Sequence, residues 1–180
     1  MKMAYADPPY LGCGRIYADL HPNALDFDNP ETHKRLILKL ERDYSDGWAM
    51  SLHSPSLRII LPMCPPRARV MAWVKPFCSF KPNVNPAYAW EPVIVCGGRP
   101  RTRWEDKARD WVAANIALKR TVKGAKPDAF CYWLFDVLNL RPEDEFVDMF
   151  PGSGAVTAAY KRYTAWLRGT EQGPLFETRE

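Results

Sequence analysis

Around residue 150 the chain runs Glu145-Phe146-Val147-Asp148-Met149-Phe150-Pro151-Gly152-Ser153-Gly154 and then enters an apolar, helix-compatible stretch. A strand that ends in an acid, turns within a few residues and opens a helix admits few architectures. So tight a turn would crowd Cβ atoms, and Gly152 and Gly154 remove them. Their absence also lets a ligand lie against the backbone at the strand's carboxyl end, where open α/β sheets bind ligands.

The remaining elements agree with that layout. Short strands are predicted at Met3 to Ala6, Trp48 to His53, Arg69 to Val74 and Pro92 to Cys96. Asn29 and Pro30 cap a helix with Leu36, Ile37, Leu40 and Tyr44 on one stripe. Ser54-Pro55 starts a short helix that ends near Pro62. Thr102-x-x-Glu105 is a capping-box signal, predicting a helix with Trp104, Ala108, Trp111 and Val112 on one side. Pro127-Asp128 opens another, striped by Phe130, Trp133, Leu134, Val137 and Leu138, and a last helix runs to about Leu167. Strands alternating with helices predict an α/β chain with a parallel sheet covered on both faces.

At 180 residues one domain is expected. No apolar run reaches the length of a membrane span, and the N-terminus lacks a signal-peptide layout. The five cysteines are scattered without a C-x-x-C pair, and the three histidines show no metal-ligand spacing. Reduced thiols in a cytoplasmic protein without a structural metal are the expectation. The net charge of +4 is uneven: Arg99, Arg101, Arg103, Lys107, Arg109, Lys119, Arg120, Lys123 and Lys126 face only Glu105, Asp106 and Asp110 in that segment. Phosphate-backbone binding needs such a concentration of charge, although a solvated helix face would look the same.

Two further motifs precede the glycine turn. Asp7-Pro8-Pro9-Tyr10 follows the first strand, and Lys126-Pro127 stands 22 residues ahead of Asp148, about one helix and a turn. In this order they resemble the amino-methyltransferases that carry a methyl from S-adenosylmethionine to the exocyclic nitrogen of a nucleobase. Target-base motif first and cofactor motif last is the beta-class arrangement. The resemblance covers roughly residues 3 to 167. It implies a three-layer Rossmann-like methyltransferase fold with a mostly parallel sheet, circularly permuted and truncated. A single domain over 1–168, with a small target-recognition insertion at 77–125 and a tail at 169–180, follows from it.

The residue roles follow from the same resemblance. Asp7 and the Pro8 carbonyl, held by the Pro8-Pro9 pair, would accept hydrogen bonds from the target amine and localise its lone pair. Tyr10 would stack a flipped base. Tyr5, Ala6, Asp7, Lys126, Asp148, Phe150, Gly152, Ser153 and Gly154 would surround the cofactor. Arg99, Arg101, Arg103, Lys107, Lys119, Arg120 and Lys123 would meet double-stranded DNA. Adenine N6 is the expected target; cytosine N4, RNA adenine and a non-catalytic nucleic-acid-binding relic are the alternatives. A dinucleotide site is disfavoured because Thr157 replaces the third glycine of G-x-G-x-x-G. Carbon-5 methylation is disfavoured because Met63-Cys64-Pro65 has its cysteine before the proline.

The family sheet normally has two further strands after the cofactor helix. Without them Glu145–Phe150 would sit at or near a sheet edge, and a homodimer is expected. Gln172, Leu175 and Phe176 resemble the peptide by which bacterial replication proteins dock on the sliding clamp. The alternatives are that Pro174 to Phe176 add a covering strand that brings Glu177 to the cofactor ribose, or that the tail is disordered.

Overall fold

The computed structural model describes residues 1–170 except 20, 79–81 and 117–124. Six strands form one sheet: β1 (Lys2–Ala6), β2 (Gly47–Ser51), β3 (Arg69–Val74), β4 (Trp90–Gly97), β5 (Trp111–Ala113) and β6 (Glu145–Asp148), in the order β5-β3-β4-β2-β1-β6. β1 is parallel to both neighbours, β2 and β6, and β3 is parallel to β5. β4 runs antiparallel to β2 and β3. The sheet is therefore mostly parallel, as the resemblance implies, with β4 as its antiparallel strand. No helix of the described residues lies between β3 and β4, so β4 returns beside β3 like the second arm of a hairpin.

Alternation along β1 assigns the layers. Met3 and Tyr5 face α3 (Asp128–Leu138) and α4 (Ala155–Leu167), in a core with Phe130, Leu134, Phe135, Leu138 and Ala159. Ala4 and Ala6 face the other way, towards α1 (Pro30–Asp43), in a core with Leu36, Ile37, Leu40, Trp48 and Met50. The Asn29 side chain accepts from the Glu31 amide at 3.0 Å, and Pro30 occupies the first turn. The Leu36, Ile37 and Leu40 stripe is buried, each side chain contributing about 1.5–3 kcal/mol through removal from water. A short helical run follows β2 and includes α2 (Leu57–Ile60). Central strands covered on both faces make three layers.

One expected helix is absent. The Thr102 amide does donate to Glu105 Oε2 at 2.6 Å, as a capping box requires. The chain makes only a turn there; Trp104 is 81% exposed and Trp111 lies in β5. A helix across 102–112 would have to give up the pairing of β5 with β3, including the 3.0 Å bond from the Ala72 amide to the Asp110 carbonyl. It would also give up the Arg101 bonds to Asp136 and the Glu105–Arg141 ion pair. One cap is worth about 1 kcal/mol, too little to outweigh them. Strand β4 falls inside 77–125 yet is an interior strand, so that segment carries part of the sheet as well as loops.

Candidate functional site

Strands β1 and β6 bring the two motifs together. Tyr5 is in register with Asp148, and the Met149 amide donates to the Tyr5 carbonyl at 2.9 Å. Asp7-Pro8-Pro9-Tyr10 and the 149–154 turn thus leave the same sheet end from adjacent parallel strands. Ligands of open α/β sheets sit at such carboxyl ends.

Asp7 is held from several sides. Lys126 Nζ lies 2.9 Å from Asp7 Oδ2 and 3.5 Å from Glu91 Oε2. The Tyr10 hydroxyl is 2.9 Å from Glu91 Oε2 and 3.2 Å from Asp7 Oδ1, and Lys126 Nζ donates to it at 3.3 Å. Lys75 closes the network with a short contact to Glu91. Because Lys126 precedes a proline its backbone is biased towards extended conformation, which keeps it outside α3 at the sheet end.

The electrostatics follow from burial. Dehydration pushes the Asp7 carboxyl above its ordinary range; Lys126 opposes the rise and Glu91 adds to it. Burial would lower Lys126, but Asp7, Tyr10, Tyr5 and Glu91 hold it well above its ordinary value. Burial likewise works to raise Glu91, yet Lys126 and Lys75 bring it below the usual carboxylate range. The Tyr10 phenol is pushed well up by burial and by Asp7 and so remains protonated.

Tyr10 stacks on His53 with ring centroids 5.5 Å apart and planes 16° from parallel. One ring face is therefore filled, and Lys126 Nζ lies 5.8 Å from the ring centroid. His53 Nδ1 is 2.7 Å from Ser56 Oγ.

At the neighbouring turn, Asp148 accepts from the Phe150 amide at 3.3 Å and the Thr157 hydroxyl at 3.2 Å. Burial raises its carboxyl. Gly152 and Gly154 have φ of +44° and +73°. A Cβ on Gly154 would meet nothing within 4 Å, and one on Gly152 only the Phe150 carbonyl at 3.8 Å. Expected crowding is thus not the reason for these glycines; the left-handed backbone is. The turn opens onto free space, the cradle a ligand would fill. Just ahead of α4 the Ser153 hydroxyl accepts from the Ala155 amide at 3.3 Å. Phe150 packs its ring on Phe27 and His21.

The other expected site residues are placed as follows. Tyr5 and Ala6 are fully buried in the two cores, Tyr5 bonded to Ser51 at 2.7 Å, so only their backbone faces the site. Lys126 joins Asp7 and Tyr10. Pro8 and Pro9 are buried beneath the network. Arg99 and Arg101 lie at the opposite end of the sheet, because antiparallel β4 carries the chain away from Asp7. There Arg99 pairs with Asp144 at 2.7 Å and Arg101 with Asp136 at 2.8 Å. With Arg69, Lys107 and Arg109 they line a basic cleft of about 280 Å³. Arg103 covers the Trp104 ring at 4.1 Å. Lys119, Arg120 and Lys123 lie outside the described residues, as do Gln172, Leu175, Phe176 and Glu177.

Glu91, Lys75 and His53 carry no local motif. A carboxylate heading the apolar run Pro92 to Cys96 was the available signal, since a charge entering a core needs a partner. Cys64 is half-buried and its thiol is pushed up to about 12, unsuited to nucleophilic attack. Among the described residues no group of three or more His, Cys, Asp or Glu is placed to hold a metal, and no helix is long and apolar enough to cross a membrane.

No protein-family model and no curated protein matches the sequence. Among solved structures the fold is similar to that of the crystal structure of the M1.HpyAVI–SAM complex, with a TM-score of 0.55 and 17% identity. The match covers 91% of this chain and 78% of the other. The chain therefore has a Rossmann-like methyltransferase fold.

Proposed function

We propose that the protein transfers a methyl group from S-adenosylmethionine to the exocyclic N6 of adenine in DNA. The observation that supports this most directly is the pairing of Tyr5 with Asp148, which sets Asp7-Pro8-Pro9-Tyr10 beside the Asp148–Gly154 turn. The similar fold was solved as a SAM complex, and the open cradle at Gly152 and Gly154, flanked by Asp148 and Asp7, fits a cationic ligand with a polar amino-acid end.

When bound, the cofactor supplies an electrophilic methyl on a sulfonium. The amine of adenine is a weak nucleophile because its lone pair is delocalised into the ring. Asp7 accepts from one amino proton and the Pro8 carbonyl from the other, which draws the nitrogen towards tetrahedral geometry. Lys126 and the Tyr10 hydroxyl fix the Asp7 carboxylate, so little reorganisation accompanies reaction. Nitrogen would gain the methyl as its carbon–sulfur bond breaks, the sulfonium leaving as a neutral thioether, and would then lose one proton. Asp7, made more basic by burial, takes that proton and passes it to water. The Tyr10 face opposite His53 stacks the base.

The test is mass spectrometry of nucleosides from DNA incubated with the protein and S-adenosylmethionine. N6-methyladenosine in its deoxy form is expected. N4-methylcytosine alone would move the target to cytosine, and no methylated nucleoside in DNA or RNA would sink the enzymatic reading.

A further inference from the structure

The sheet end that carries Asp7 also carries an unusual amount of exposed aromatic surface. Phe77, Tyr88 and Trp90 are 54%, 44% and 39% exposed. All three belong to the connection between β3 and the start of β4, the end of both strands nearest Asp7. Tyr88 and Trp90, with Ser54, Asn83 and Asn85, line a half-open cleft of about 320 Å³. Its chemistry is mixed: flat rings for stacking, and side-chain amides that both donate and accept.

Two residues that line the cleft are chain neighbours of groups that touch Tyr10. Ser54 follows His53, whose ring stacks on Tyr10. Trp90 precedes Glu91, whose carboxylate is 2.9 Å from the Tyr10 hydroxyl. Trp90 and Ser54 are thus each one residue along the chain from a group that touches Tyr10, which puts the cleft at the same sheet end as the target-base motif.

We propose that this cleft is a second nucleobase site, which stacks a nucleotide flanking the target on Trp90 and Tyr88 and meets its edge with Asn83 and Asn85. The inference rests on the nucleobase reading above. A nucleotide that stacks on protein must leave the stack of its own strand. The chain therefore grips an unpaired or locally opened segment, and it binds single strands at least as tightly as duplex. Aromatic stacking tolerates any base and asks little of sequence. The amides add the edge contacts through which one base can be preferred.

The test is fluorescence anisotropy with the full chain and labelled single-stranded oligonucleotides of thymine containing one adenine. An abasic site is moved through the positions flanking that adenine, in deoxyribose and ribose series. In the wild type, one flanking abasic position should weaken binding by about fivefold or more. Trp90→Ala and Tyr88→Ala should weaken binding of the intact strand by a similar factor and lose sensitivity to that abasic position. Trp90→Phe should restore both. Unchanged melting temperatures, expected for half-exposed side chains, separate these effects from misfolding. The cleft proposal is overturned if the wild type ignores every flanking abasic site, or if both alanine variants bind as wild type. A chain that binds no oligonucleotide overturns the nucleobase reading itself, whereas one that binds and methylates but ignores Trp90 and Tyr88 loses the cleft alone.

Discussion

Lys126 Nζ reaches Asp7 Oδ2 at 2.9 Å although Asp7 directly follows the first strand and Lys126 stands just ahead of α3, far along the chain. The same ammonium reaches Glu91, so one nearly buried cation is shared by two carboxylates. Asp7 is thereby a charge to be stabilised and, under the proposed function, the acceptor for the target amine.

Asp7→Asn should keep the shape of the site and remove the carboxylate acceptor. Methyl transfer is expected to fall by about 10²–10³-fold, the usual effect of deleting one preorganised polar group. Cofactor affinity, measured by isothermal titration, should stay within a few-fold. Normal turnover would remove Asp7 from the mechanism.

The acid limb of the pH–rate profile should lie above about 3.9, the ordinary carboxylate value. Burial raises the Asp7 pKa, and only the ionised form accepts from the amine, so activity is present above that pKa and lost as pH falls through it. Lys126→Met removes the opposing cation and should move the limb to higher pH. It also leaves the buried Asp7 carboxylate without its cation, while Glu91 keeps Lys75, a destabilisation of about 3 kcal/mol read by chemical denaturation. A limb that stays in place would mean that Lys126 does not set the Asp7 charge.

Thr157→Val deletes the hydroxyl that donates to Asp148 at 3.2 Å. The Asp148 carboxyl should rise further, and affinity for S-adenosylmethionine should drop by up to about tenfold, one hydrogen bond to a charged group. Equal affinity would separate Asp148 from the cofactor.

Asp144 has no exposed side-chain surface and pairs with Arg99 at 2.7 Å. Burial works to raise its carboxyl, but its hydrogen-bonding partners, Arg99 among them, bring it below the usual range. A depressed carboxyl stabilises the fold above its unfolded pKa, and that contribution is lost as pH falls through the folded value. Asp144→Ala should cost about 3 kcal/mol at neutral pH and flatten the acid side of the stability profile.

Arg103→Ala with Lys107→Ala should leave the log–log salt slope of DNA binding unchanged, because their loop follows β4 to the sheet end opposite Asp7. Lys119, Arg120 and Lys123 lie between Ala114 and Lys126, and both flanks are at the Asp7 end. Their removal should reduce the slope by about 0.9 for each lost contact.

The elements were legible wherever local chemistry and packing agreed. Asn29-Pro30 capped α1, and the acid–glycine turn led from β6 into α4 as read. At Thr102 they disagreed: the local bond formed, but strand pairing at Trp111 claimed the residues a helix needed. In the site, Asp7, Tyr10 and Asp148 belong to contiguous motifs and could be named in advance. Glu91, His53 and Lys75 could not, because their roles exist only once β2, β3 and β4 converge on Tyr10. The reversal of β4 was equally hidden. It decides that Arg99 and Arg101 serve Asp144 and Asp136 at the far end.

Strand β6 has a single neighbour among the described residues, β1, which lies between it and β2. During synthesis β1 is made long before β6. Until residues 145–148 emerge, the strand that bears Asp7 has one bare edge, open to any other extended chain. The pairing of Tyr5 with Asp148 fills that edge of β1 and sets the two motifs side by side.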